Sequence, residues 1–465
     1  MISLRKIYTL LFFLGLFFIP FNSFQGFDFM GEYKNEAATY FFLIGFFILI
    51  IESLLKGKIS IPYKNSLAVT LLIFIFWTFL STAINYQTVS ENFYKQTTGI
   101  NRYIRQTISL LISALIFTIF FWNVIKNYSV EKIFRLIRSV ILYGLIFVAF
   151  YGFIEIAIVF YGMGFLRPFF ESFEILPFIK TVYSGNQRVS ITSVSYEVPA
   201  LGNYLITIMP WMFSYILTEK KIHKFIPALL ILILMFYSDS RTALICITIQ
   251  IFALILILLH DIRYRKTTSN LLKLSGVAVF LVLLINSGEV IKKVNERIDR
   301  INFNKNLNAD VSNKSRFGMQ YASIQVFKDH PIVGVGLGQD TYHKIQYYPY
   351  WSTVNNWEFS VKYQNQQVAS FPPAYNIYTR LLSELGLIGI LIWATLLFLC
   401  LYYSVMYWKY APNDKKYMGV ILILSFIGLF INWMQTDFFR QYGVWLGIVL
   451  LIYLRESYNK TIEEN

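Results

Sequence analysis

The sequence predicts an all-α polytopic membrane protein of about 12 transmembrane helices, with a large extracytoplasmic loop between the last two groups of spans. Three observations predict it. Of 465 residues, 56% are hydrophobic and only 14% are charged, a balance far from that of soluble domains. The apolar residues recur in runs of about 18 to 22, the length at which a helix crosses lipid while satisfying its own backbone groups. Lysines and arginines collect in alternate connecting loops, as cytoplasmic loops require.

Taken in order, the chain divides into residues 1–289 with spans one to nine, residues 290–378 as a partly helical extracytoplasmic loop, and residues 379–465 with spans ten to twelve and a cytoplasmic tail. The Leu4-Arg5-Lys6 start has the form of a signal-peptide n-region, but the apolar run is long, ends at Pro20 and lacks a small-residue cleavage site. It reads as a retained helix with a cytoplasmic N-terminus. Lys56, Lys58 and Lys64, then Lys126, Lys132, Arg135 and Arg138, then Lys220, Lys221 and Lys224, then Arg263, Arg265 and Lys266, and finally Lys409, Lys415 and Lys416 mark the cytoplasmic side. Residues 84–105, 163–197, 238–241 and 290–378 then face outward. The net charge of +15 follows from topology rather than from nucleic-acid binding. Cys246 and Cys400 both fall in apolar runs, so neither a disulfide framework nor a thiolate metal site is indicated.

Four outward features have residue types suited to chemistry. Arg241, in Ser238-Asp239-Ser240-Arg241, lies between two spans; it reads either as an interfacial arginine reaching headgroups or as a bidentate grip on phosphate, on a face otherwise poor in positive charge. Arg316 follows Ser315, a candidate helix N-cap, and Phe317, Tyr321, Ile324 and Phe327 recur at helical spacing as a packing stripe, leaving Arg316 and Gln320 on the other face. Residues Arg188 to Tyr204 run straight into the sixth span, and Glu197 within them sits at the membrane surface, where a carboxylate is hydrated, paired or used. Pro372-Pro373-Ala374-Tyr375-Asn376 leads into the tenth span, with Gly386 and Gly389 beyond it suited to close helix approach. Upstream, Tyr348, Trp351 and Trp357 are either an interfacial aromatic belt or platforms for sugar rings.

These features together resemble the O-antigen ligase and O-antigen polymerase (Wzy-type) family of bacterial polysaccharide biosynthesis. The ligase signature is a His followed by Asn, Ser or Gln, nine residues, then Gly-x-x-Gly, Thr or Tyr; Asn376, the nine-residue gap, Gly386 and Gly389 match it. Arg241, and Arg316 ahead of the Phe327–Gly338 segment, fall where the family has its two functional arginines. The likeness covers chiefly residues 188–395. One departure stands out: Tyr375 occupies the position of the ligase histidine, and a phenol with an ordinary pKa near 10 is a poor base at neutral pH.

The resemblance implies a GT-C-like architecture in the bacterial inner (cytoplasmic) membrane with both termini cytoplasmic. It implies a glycosyltransferase that moves a glycan from undecaprenyl pyrophosphate onto a second lipid-linked repeat unit, making O-antigen, capsule or exopolysaccharide. The expected catalytic residues are Arg241, Arg316, Glu197 as base and Tyr375; Arg188, Gln320, Asn376, Tyr348, Trp351 and Trp357 are the expected substrate contacts. Partners would be the lipid-linked glycan, the bilayer, a chain-length regulator and a flippase. No cofactor is expected, and with no outer Asp-x-Asp pair or His–carboxylate cluster the transfer is expected to be metal-independent. Gly334-x-Gly336-x-Gly338 lacks the βαβ setting of a dinucleotide fingerprint and reads as a turn. The alternatives are a ligase acting on a lipid A-core acceptor and a flippase, which would carry midplane binding groups and paired interrupted helices.

Overall fold

A computed structural model describes residues 3–180, 190–261, 264–266, 268–269, 311–368 and 370–463. The bundle is built from α1 (Leu4–Phe17), α2 (Ala37–Lys56), α3 (Ser66–Ile84), α4 (Gly99–Ile125), α5 (Val130–Tyr161), α6 (Val198–Thr218), α7 (Ile226–Ser238), α8 (Arg241–His260), α9 (Val311–Asp329), α10 (Ile377–Tyr410), α11 (Lys416–Asn432) and α12 (Tyr442–Glu463). Among the described residues, seven helices, α2 to α6, α8 and α10, are long and apolar enough to cross a membrane. That differs from about twelve for physical reasons. The first apolar run leaves the helix at Phe18, ahead of Pro20. α7 and α11 are short apolar helices, the apolar run of α12 ends at Arg455 and Glu456, and the ninth expected span, 274–289, lies outside the described residues.

Connections sort to two ends of the bundle. At one end, Lys415 pairs with Glu131 at 2.6 Å, Arg138 with Glu219 at 3.4 Å, and Arg455 donates to Ser66 at 3.0 Å. These are the lysine- and arginine-rich loops. At the other, Ser195 Oγ donates to Pro20 O at 3.1 Å, Tyr196 N to Asn22 at 3.0 Å, and Gln339 Nε2 to Gly99 O at 2.9 Å. Here β1 (Phe93–Tyr94) and β2 (Thr97–Thr98) form an antiparallel hairpin through Lys95 and Gln96 at φ 48° and 59°, the positive pair that a tight two-residue turn demands. Lys95 Nζ then donates to Ser370 O at 2.8 Å, tying the hairpin to the long loop.

The long loop is anchored by a break in α10. Gly386 takes φ 64° and ψ −167° inside the helix, a backbone region closed to other residues. The break exposes carbonyls and amides that the 331–338 segment pairs: Val335 N donates to Ser383 O at 3.0 Å, Gly336 N to Glu384 O at 2.8 Å, and Leu387 N to Pro331 O at 2.8 Å. Trp77 of α3 takes Leu385 O at 3.0 Å. The contact is tight enough that a Cβ on Gly386 would lie 2.2 Å from Ile332 O. Beside it, buried Asp340 accepts from Ser383 at 2.7 Å, Ser323 at 3.0 Å and Lys344 at 2.7 Å, joining α9 to α10.

α9 corrects two expectations. Ser315 is interior to the helix and buried, receiving Asn356 Nδ2 at 3.0 Å, so it caps nothing. The packed face is Ser315, Gly318, Met319, Ala322, Ser323 and Val326, whereas Tyr321 and Ile324 of the expected stripe are exposed. Small side chains win this face because its partners are Ser352 and Asp340, approached closely, rather than a wide apolar groove.

Candidate active site

Local chemistry brings three elements to one point. Glu155 of α5 accepts Thr192 N at 3.1 Å and Ser193 N at 2.7 Å, which fixes the strap leading into α6. Asp239 ends α7 in the left-handed conformation (φ 54°), and Ser240 caps α8 by accepting Ala243 N at 3.3 Å. Gly202 of α6 admits this turn, since a Cβ there would meet Ser240 Oγ at 2.6 Å. Arg241 is thereby the first residue of α8, at the mouth of the α6–α8 contact. On α9, burial of Ser315 and Gly318 against the loop turns Arg316 away toward the 433–441 loop, where its Nη1 donates to Gln435 Oε1 at 3.1 Å. Its Nε is buried with no hydrogen-bond partner among the described residues.

Arg241 and Arg316 line one cavity of about 310 Å³, together with Asp239, Asn203, Asn432 and Gln435. Asn432 Nδ2 donates to Asn203 Oδ1 at 2.7 Å, a neutral amide pair on the lining of the same cavity. Such a cavity favours a multiply charged oxyanion, because each guanidinium offers a fork of donors.

The other expected site residues fall at graded removes. Glu197 directly precedes Val198 and Pro199, which line the cavity, and accepts Tyr196 Oη at 2.7 Å. Tyr375 lies under Arg316, whose Cζ is 5.3 Å from its ring, and shares a short hydrogen bond with Tyr363. Burial, reinforced by the Glu358 carboxylate, pushes its phenol up to about 12 against the opposing influence of Tyr363 and Arg316. Asn376 is the N-cap of α10, accepting Tyr378 N at 2.9 Å and Thr379 N at 3.3 Å, while its Nδ2 donates to Gln320 at 3.4 Å. Both Asn376 and Gln320 are thus structural partners next to the cavity. Tyr348 packs against the small core of Met319, Phe359 and Tyr363, and Trp351 and Trp357 are exposed; none of the three lines the cavity. Arg188 lies outside the described residues. Among the described residues, no group of three or more His, Cys, Asp or Glu side chains converges as a metal site would need.

Asn203, Asn432, Gln435 and Thr436 are cavity residues that spacing alone does not reveal. A second correction concerns charge: this end is not poor in arginine, for Arg102, Arg105, Arg380 and Arg440 line another cavity at the same end. A readable signal existed for one of them, the Arg380–Glu384 pair, two charges four residues apart within an apolar run.

Apolar helices of spanning length and a cationic cavity at one end of their bundle define a polytopic membrane protein. Residues 226–394, from α7 into α10, match the family model described as O-antigen ligase. This segment, which carries Arg241, Arg316, Asn376 and Gly386, is thus similar to the O-antigen ligase/polymerase family. No curated protein matches it.

Proposed function

We propose that the protein polymerises undecaprenyl-pyrophosphate-linked oligosaccharide repeat units on the outer face of the bacterial cytoplasmic membrane. The observation that carries the reading is the meeting of Arg241 and Arg316, from α8 and α9, on one cavity. In this reaction an acceptor hydroxyl attacks the anomeric carbon of the donor glycan, the bond from that carbon to the phosphate oxygen breaks, and undecaprenyl pyrophosphate leaves with one more negative charge. The hydroxyl proton passes to a base, for which Glu197 is the proposed group. Two guanidiniums already in place bind the leaving group more strongly as its charge grows, which lowers the barrier. Tyr375 cannot act as a base at neutral pH with its phenol near 12; it supports Arg316 and orients hydroxyls. The excess of lysine and arginine at the opposite end supports an orientation with that end, and both termini, in the cytoplasm. A flippase would supply the donor, and a chain-length regulator would act on the product.

A ligase that moves the finished glycan to another acceptor is the second reading, favoured by the description of the matching family as O-antigen ligase. Tyr375 in place of the ligase histidine supports the polymerase. The deletion strain separates the two: single repeat units on the final acceptor are expected, and long chains retained on undecaprenyl pyrophosphate would make the ligase correct. Arg241→Ala and Arg316→Ala should each abolish polymer at normal expression, with lysine rescuing poorly because it lacks the fork. Normal polymer from both alanine variants would remove the arginines from the mechanism.

A further inference from the structure

A cavity of about 280 Å³ lies on the far side of the 433–441 loop from the first one, lined by Arg102, Arg105, Arg380 and Arg440 with Glu32 and Asp437. Gln435 and Thr436 face the first cavity, and Asp437 and Arg440 face this one. Its arginines divide into two kinds. Arg380 is fully engaged: Nε pairs with Glu384 at 3.1 Å, Nη1 donates to Asp437 O at 2.6 Å and Nη2 to Gln106 at 2.6 Å. Arg440 spans Glu32 at 3.5 Å and Glu36 at 3.3 Å. These two are internal struts. Arg102 has a buried Nε without a hydrogen-bond partner among the described residues, and its guanidinium lies 4.4 Å from the centre of the Phe371 ring. Arg105, one turn further along α4, is exposed and forms no ion pair among the described residues. Glu32 is shared electrostatically among Arg440, Arg102 and Arg380, so Arg102 and Arg105 have no hydrogen-bonded carboxylate of their own among the described residues, and in a cavity large enough for a phosphate pair they suit a dianionic ligand.

We propose that this second cavity holds the diphosphate of the acceptor lipid while the Arg241–Arg316 cavity holds that of the donor. The identity of the ligand rests on the polymerase reading; the presence of a diphosphate site does not. A polymerase must hold two lipid-linked diphosphates at once, and only the donor's gains charge during reaction. The acceptor's diphosphate stays intact, so its arginines contribute equally to ground and transition states. Loss of Arg102 and Arg105 should therefore raise the KM for acceptor and leave kcat unchanged.

The test uses the full-length protein in detergent micelles and inorganic diphosphate followed by calorimetry. With the first cavity silenced by Arg241→Ala and Arg316→Ala, binding should persist, and adding Arg102→Gln and Arg105→Gln should weaken it by about tenfold or more. Arg105→Glu alone, a surface change that spares the fold, should weaken it to a similar degree. No binding once the first cavity is silenced, or binding indifferent to Arg102 and Arg105, overturns the site whatever the polymer phenotype. Vesicles then separate the sources: displacement of bound diphosphate by polyprenyl-diphosphate vesicles, with phosphatidylglycerol vesicles inert, supports the acceptor, whereas equal displacement by phosphatidylglycerol overturns it in favour of a bilayer headgroup. Arg102-dependent binding together with long lipid-linked chains in the deletion strain would retain the site and overturn the polymerase.

Discussion

Gly386→Ala puts the junction between the long loop and the bundle to a quantitative test. At φ 64° and ψ −167°, alanine occupies a region essentially reserved for glycine, at a cost of about 1–3 kcal/mol. Its Cβ would also lie 2.2 Å from Ile332 O and 2.6 Å from Val333 N, so roughly 1 Å of separation must open between two backbones that are in contact. The bonds from Leu387 N to Pro331 O at 2.8 Å and from Ile388 N to Ile332 O at 3.4 Å flank the site. Losing them adds about 1 kcal/mol each. The sum is about 3–5 kcal/mol, in the range reached only by specific structural damage. Gly162→Ala is the matched control. Gly162 caps α5 at φ 67° with nothing within 4 Å of a Cβ, so only the left-handed backbone term applies, about 1–2 kcal/mol. Solubilised variants, heated in steps and scored by the monodisperse fraction on size exclusion, should show Gly386→Ala losing half its peak at a clearly lower temperature than Gly162→Ala. Equal losses would refute the docking of 331–338 onto the broken helix.

Three further outcomes follow from other residues. Asn355→Cys, in an exposed turn of the long loop, should react with an impermeant thiol reagent on intact cells and Asn413→Cys should not, against a low background because Cys246 and Cys400 are buried; the reverse labelling inverts the orientation. Asp340→Asn strands the Lys344 ammonium, 1% exposed and 2.7 Å from the lost carboxylate, and should destabilise by about 3–5 kcal/mol, with partial recovery on adding Lys344→Met; a double variant no better than the single would sink the pairing argument. Glu32 is opposed by burial, but Arg440, Arg102 and Arg380 hold its carboxyl down to about 2 from an ordinary 4.5, so the stability it confers is complete above the ordinary value and is lost as the pH falls from there toward 2. The thermal gap between wild type and Glu32→Gln should be flat from pH 6 to 8 and narrow below 4.5; a gap that widens on acidification would reverse the sign.

How much was legible depended on whether the physics was local. Apolar runs and alternating charge are periodic signals along the chain, and they order the loops into the two ends that the contacts show. Arg241 and Arg316 stood out because each sits in a distinctive short context, although only folding brings them to one cavity. The aromatic spacing in α9 misled, because periodicity reports which side chains share a face and not what that face meets. Small residues pack there because Ser352 and Asp340 come close. Asn376 carries a motif position, and its Oδ1 caps α10, so the motif marks a structural cap at that residue whatever its Nδ2 does. The second arginine group was hidden for a different reason: Arg102, Arg380 and Arg440 come from three elements remote in sequence, and no window along the chain contains more than one of the three.

The 433–441 loop contributes residues to both cavities. Gln435 receives Arg316 on one side, while Trp433 O and Thr436 O receive Ile377 N at 3.0 and 2.9 Å, capping α10. Asp437 Oδ2 takes Ala374 N at 2.6 Å, and its carbonyl takes Arg380. Arg440 then reaches across to Glu32 and Glu36 at the head of α2. One short segment therefore sets the position of Arg316, the start of α10 beneath Tyr375, and two struts of the second cavity. A displacement of this loop must alter both cavities together, because Gln435 and Asp437 are only two residues apart on a backbone pinned at each end. On the proposed two-site reading, a ligand that shifts this loop from one cavity should change the shape of the other, which is the coupling that a reaction between two lipid-borne substrates needs if the donor bond is to break only when an acceptor is in place.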